Sequence, residues 1–284
     1  MVDIAQVISD AFELYKERWR DVVVPFLVLF VIAIVFGLVS FGLSLTSKTV
    51  CKNAVNPYIL IALCYVPQIM QYAFGIVEGL VQFIVILAVL IPLWELISGA
   101  KVSDWSVHLG EQLLNAIKVI VLRTALMLLV ILPLIVFVIL NLTLIVAAMN
   151  SGGGLSGLVT FGGFAVLVGV IVAAVVLMIV INFLLTFLEI EMVVGGKGLL
   201  GAIGASYGRV MANVVPCFLF NLVWWLLQIA IGLLTTVLIC CTLCLAYPVA
   251  IIVSPLIVAP VMWISKLMLW KELGGGAPQK RELF

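Results

Sequence analysis

LVTFGGFAVLVGVIVAAVVLMIVINFLLTFL, residues 158–188, runs through thirty-one positions without one ionisable side chain. A bilayer's hydrocarbon core, about 30 Å thick, is crossed by about 20 helical residues. This stretch is therefore long enough to span and too apolar for an ordinary soluble helix. Five further apolar stretches of spanning length stand at 22–45, 70–97, 119–148, 213–239 and 246–270. Composition agrees: 66% of the 284 residues are hydrophobic and 10% charged, with mean hydropathy +1.41. Soluble domains carry about 25% charged residues, so this chain has too little polar surface to cover a globule in water. The expected fold is all-α, a polytopic six-span helical membrane bundle. It occupies 1–273 as a single membrane domain, with a short tail over 274–284.

Charge sets the expected topology. Fourteen basic and thirteen acidic residues leave a net charge of +1, with no basic stripe to bind nucleic acid. Twelve of the fourteen basic residues, among them Lys16, Lys101, Lys118, Arg123, Lys197, Arg209, Lys266 and Lys271, fall on one set of connections; Lys48 and Lys52 fall on the other. Positive-inside bias assigns the richer side to the cytoplasm, and both termini with it. The first apolar run follows some twenty mixed-charge residues, so no secretory signal is read. The stretch PYILIALCYVPQIMQYAF (57–74) reads either as an extension of the second span bent at Pro67 or as a re-entrant or interfacial segment. Trp224, Trp225, Trp263 and Trp270 are expected to anchor the last two spans near the interfaces.

An amphipathic stretch precedes the first, third and fifth spans. Ile4, Val7, Ile8, Ala11, Phe12, Tyr15 and Trp19 recur with helical spacing and make one apolar stripe. Trp105, Leu109, Leu113, Ala116, Ile117 and Ile120 make a second behind Ser103, a candidate N-cap; Leu199, Ile203, Tyr207, Val210, Met211 and Val214 make a third. The layout of surface helix, span out and span back suggests a threefold parallel repeat over 1–98, 99–194 and 195–273. Ordinary cytoplasmic connectors lying on the membrane surface explain it equally well. The third stretch also carries a strip of small residues, Gly201, Gly204, Ala205, Gly208 and Ala212, which predicts close helix packing between neighbours.

Two short motifs carry a resemblance. AFELYKERW (11–19) leading into a span, and A-x3-S-x6-N at Ala202, Ser206 and Asn213, resemble the six-span membrane domain found beside some glycerophosphodiester phosphodiesterases. That domain also occurs as stand-alone bacterial and archaeal proteins. Ala205 stands where the family usually has a basic residue. The resemblance implies a membrane-embedded module without catalysis; no soluble phosphodiesterase domain is expected, since the spans consume the chain. Mitochondrial-type carriers also have three units, but their proline–acid–basic signature is missing: Pro25, Pro133 and Pro216 are followed by apolar residues.

Candidate chemistry is sparse. Cys51, Cys64, Cys240, Cys241 and Cys244 map to the side away from the basic connections, where an oxidising compartment favours disulfides. Apolar packing or a thiolate metal site are the other readings, and no histidine is near. Glu78 is an acid inside a span, with Gln82 one turn away; Asn141, Asn182, Asn221 and Gln228 are intramembrane amides. Glu78 reads as an interfacial carboxylate in water or paired with Lys48 or Lys52, as part of a polar cavity with Gln82, or as a cap on local backbone; the amides either bond between helices or line that cavity. Pro248, Pro255 and Pro260 predict a kinked last span. Glu95, Glu189 and Glu191 stand at span ends and read as solvated charges. GGKG (195–198) lacks the P-loop's spacing and reads as a flexible turn, and no H-E-x-x-H is present. No catalytic, cofactor or metal site is expected. The expected role is non-enzymatic: a structural, accessory or envelope-related protein binding lipid or other membrane-protein subunits. A transporter or channel for an apolar or weakly polar solute is the alternative.

Overall fold

The computed structural model describes residues 2–51, 66–150, 156–241 and 253–275. Every element among them is helical: α1 (Ile4–Glu17), α2 (Trp19–Cys51), α3 (Val66–Ser98), α4 (Leu109–Asn150, entered by a 3-10 turn over Trp105–His108), α5 (Ser156–Leu184), α6 (Leu188–Val193), α7 (Leu199–Ala212), α8 (Val214–Cys241) and α9 (Ala259–Glu272, entered by a widened π-helical turn over Ser254–Val258). Among the described residues five stretches are long and apolar enough to cross a bilayer: Trp19–Leu45, Val66–Ser98, Trp105–Leu140, Val168–Val193 and Val214–Leu234. The expected sixth span, 246–270, lies only partly within the described residues. So does segment 57–74, of which Val66 onward is helix. The helix ends that carry most of the described lysines and arginines are called the basic end below.

Asp3 starts α1 by accepting the backbone N–H groups of Ala5 and Gln6 at 3.0 and 3.3 Å, which satisfies donors that a first turn leaves orphaned. The stripe then buries Ile4, Val7 and Ala11, largely against α9, while Phe12 and Trp19 remain exposed. Pro260 has no N–H for the carbonyl of Leu256, four residues earlier. The Tyr15 hydroxyl donates to that oxygen at 2.8 Å, joining α1 to the head of the last helix. Burial pushes the Tyr15 phenol up from its usual range, so it remains a donor.

The second amphipathic stretch is not a separate helix. After Asp104 caps the 3-10 turn through the Ser106 N–H at 3.0 Å, α4 runs through Asn150 without interruption. Its buried line is Gln112, Ala116 and Val119, whereas Leu113 and Ile117, expected in the stripe, are exposed. In α7 the buried line is Ala202, Ser206 and Val210. Gly201, Gly204, Gly208 and Ala212 are exposed, Ala205 is half-buried, and a Cβ added at Gly204 or Gly208 would meet open space. The small strip is therefore not the packing face within this chain; the line beside it, with a hydroxyl at its centre, is.

Packing concentrates near the basic end. Leu87, Leu90, Phe187, Ile190, Ile264, Leu267, Leu269 and Trp270 are fully enclosed, and Trp94 meets Trp270 edge-to-face at 5.3 Å between ring centroids. Three of the four tryptophans expected as interface anchors, Trp224, Trp263 and Trp270, belong to this core; Trp225 is exposed. Farther along, Leu38, Tyr72, Ile76, Leu129 and Leu233 point outward. In a bilayer such surface meets lipid tails as apolar as itself, so helix association rests on close packing and interhelical hydrogen bonds.

Candidate functional site

The polar centre of the molecule grows from a break in a span. Helix α5 stops at Leu184 and resumes as α6 at Leu188, and the turn between them frees backbone groups inside the protein. Ser206 of α7 meets both sides of that break: its hydroxyl donates to the Leu184 carbonyl at 3.0 Å and accepts the Phe187 N–H at 3.2 Å. Asn221 of α8 donates to the Thr186 hydroxyl at 3.3 Å and to its own helix at the Cys217 carbonyl. Unpaired backbone groups in hydrocarbon cost several kcal/mol each, so the break persists because α7 and α8 supply partners.

The resumed helix carries Glu189 and Glu191, both enclosed, at 1% and 0% exposure. Two residues apart, they point in different directions. Glu189 pairs with Arg123 of α4 and lies 3.5 Å from Lys266 of α9. Glu191 receives Lys197 at 2.7 Å on one oxygen; the other takes Arg209 Nη2 at 2.7 Å, Arg209 Nε at 2.9 Å and the Trp270 indole N–H at 2.9 Å. Arg209 also donates to the Leu273 carbonyl at 2.8 Å and covers the Trp270 ring at 5.2 Å. Two carboxylates thus tie together α4, α6, α7, the loop before α7, and α9. The expectation that these acids are solvated is corrected. A carboxylate without water is tolerable only when paired and hydrogen-bonded: both oxygens of Glu191 are hydrogen-bonded, whereas Glu189 bonds Arg123 through Oε1 and faces Lys266 as an ion pair, its Oε2 without a hydrogen bond among the described residues.

GGKG is part of the same construction. Gly195 N–H donates to the Ile190 carbonyl at 3.0 Å, Gly196 adopts φ +63°, and Lys197 N–H returns to the Glu191 carbonyl at 3.1 Å. The turn therefore folds Lys197 back over the carboxylate it neutralises. A Cβ at Gly195 would lie 2.6 Å from the Glu191 carbonyl oxygen and 3.2 Å from its Cα. Those are backbone atoms, so they cannot swing aside. Gly195→Ala is expected to lose about 1–3 kcal/mol, the usual range for overpacking, measured as a lowered unfolding midpoint in detergent. A midpoint unchanged from the parent would show that the turn is free to shift.

A second feature is a partly open, mainly apolar groove of about 600 Å³. Phe26, Phe30, Ala33 and Gly37 of α2 form one wall, Gln82 and Ile86 of α3 another, and Pro255, Ala259 and Trp263 the third. Gly37 helps to create the space, for a side chain built there meets nothing within 4 Å. Gln82 is the one polar side chain in the lining, and its Nε2 donates to Glu78 Oε1 at 2.9 Å.

The other residues expected to line a polar cavity go elsewhere. Asn182 donates to the Met178 carbonyl of its own helix at 2.9 Å, Asn221 serves the helix break, and Gln228 is exposed. The Asn141 side chain lies outside the described residues, as do those of Cys51, Cys240 and Cys241; Cys64 and Cys244 lie outside altogether. The expected disulfides therefore fall beyond what the structure describes. Pro248 does too, but the expected distortion of the last span is present around Pro255, as the widened turn before Pro260.

No protein family matches the chain, and no curated protein or solved structure does.

Proposed function

We propose that this chain is a non-enzymatic integral membrane protein, structural or accessory, whose apolar groove holds a membrane lipid. The groove carries the reading. Its volume lies within the roughly 300–1,000 Å³ of small-molecule sites, its walls are almost wholly apolar, and it is a partly open groove between α2, α3 and α9. The charge cluster supports the same role, because its carboxylates are committed to lysine, arginine and indole partners that hold helices together. The layout's resemblance to the six-span domain beside glycerophosphodiester phosphodiesterases fits a non-catalytic module. In this reading the bundle has six spans in the cell membrane, with the basic end in the cytoplasm, as positive-inside bias requires.

The test is native mass spectrometry of the full chain released from membranes. The parent is expected to carry lipid that Gly37→Trp, which fills the groove from a position with free space, does not. Equal lipid on both proteins, or none on the parent, overturns the reading. A transporter or channel for an apolar or weakly polar solute is the second reading, favoured by Gln82 in the groove wall and its bond to Glu78 one turn away. Solute flux across vesicles that is lost in Gly37→Trp would support it over static binding.

A further inference from the structure

Gln82 in the groove wall bonds Glu78, one helical turn beyond the lining. Gln82 lies sixteen residues and Glu78 twenty residues before Ser98, where α3 ends. At 1.5 Å per residue these are about 24 and 30 Å along the helix from its basic terminus. Phe26, at the other extreme of the groove, is seven residues into α2, about 10 Å from the basic end. A hydrocarbon core of about 30 Å therefore places Glu78 near the opposite membrane face, with the groove descending from it toward the bilayer interior. The dimensions suit an amphiphile whose head sits at Glu78 and whose chain runs down past Gly37, Ala33 and Phe30.

Glu78 also defines the chemistry of that head. One carboxylate oxygen takes the Gln82 amide; the other has no partner among the described residues. The Gln82 carbonyl oxygen likewise has none. Both are acceptors, and one belongs to a carboxylate, so a head with charged N–H donors is favoured; the cations of this side, Lys48 and Lys52, have side chains outside the described residues.

Building on the lipid-groove reading above, we propose that the groove selects a lipid with a primary ammonium head, the ammonium donating to Glu78 and Gln82. A quaternary ammonium has the charge without the donors, and a glycerol head on a phosphodiester has donors with net negative charge. These two heads separate the contributions.

The experiment places the full chain in nanodiscs of equimolar phosphatidylethanolamine, phosphatidylcholine and phosphatidylglycerol with identical acyl chains, and reads the lipids retained after transfer to detergent. The parent is expected to retain the ethanolamine lipid about tenfold over either competitor, the scale of one charge-assisted hydrogen bond. Glu78→Gln is expected to bring the three to parity at unchanged total lipid. Equal retention of all three by the parent, or an ethanolamine preference that survives Glu78→Gln, overturns the proposal. Gly37→Trp separates the two levels: if it retains as much lipid as the parent, the groove reading itself has failed, whatever the head preference.

Discussion

Glu191→Ala is expected to lose about 3–5 kcal/mol of stability, the cost of removing one partner from a buried ion pair. The carboxylate is fully enclosed, and four donor groups converge on it from Lys197, Arg209 and Trp270. Alanine leaves Arg209, itself only 11% exposed, without its counter-charge. The loss concerns uncompensated charge more than lost attraction, and that distinction can be measured. Glu191→Leu combined with Arg209→Met removes both signs and fills similar volume, so it should lie much nearer the parent than Glu191→Ala does. Unfolding midpoints in one detergent give the comparison. A single variant within about 1 kcal/mol of the parent would mean that water or lipid reaches the carboxylate, and the cluster would lose its structural role.

How much of this was readable from residue order follows from range. Helix type and the five described spans rest on local apolar runs, which a bilayer converts into helices with little help from the rest of the chain. The N-terminal helix was readable too, because a seven-residue apolar stripe lies within one short window. The clamp was not, because its partners lie far apart: Glu189 is 66 residues from Arg123, and Glu191 is 79 residues from Trp270. A signal existed nonetheless. In FLEIEMVV (187–194) and WISKLMLW (263–270) the charges sit inside apolar runs rather than at their edges. A charge flanked by apolar residues on both sides has no easy route to water, so it implies a partner of opposite sign. Reading Glu189 and Glu191 as span ends overlooked Met192, Val193 and Val194 beyond them. The small strip of α7 misled for a related reason. Glycine spacing marks a face that can pack closely, but which face is buried was decided by Ser206, whose hydroxyl is needed at the α5–α6 break.

Trp270 gives the sharper test of how packing and charge cooperate. Its ring is 1% exposed, stands edge-on to Trp94 and lies beneath Arg209, while its indole N–H serves Glu191. Trp270→Phe preserves an aromatic face and removes the donor, so about 1.5–3 kcal/mol should be lost, as for a hydrogen bond to a charged group. Trp270→Ala removes the ring as well and should lose at least the 3–5 kcal/mol typical of large-to-small aromatic truncation. The order parent, Phe, Ala in midpoint is therefore expected. The Phe loss should shrink by 0.5 kcal/mol or more when it is made in a Glu191→Leu, Arg209→Met background, because the N–H then has no carboxylate to serve. If the Phe substitution costs the same in both backgrounds, the indole acts through its shape alone. The carboxylate would then be held by Lys197 and Arg209 without it.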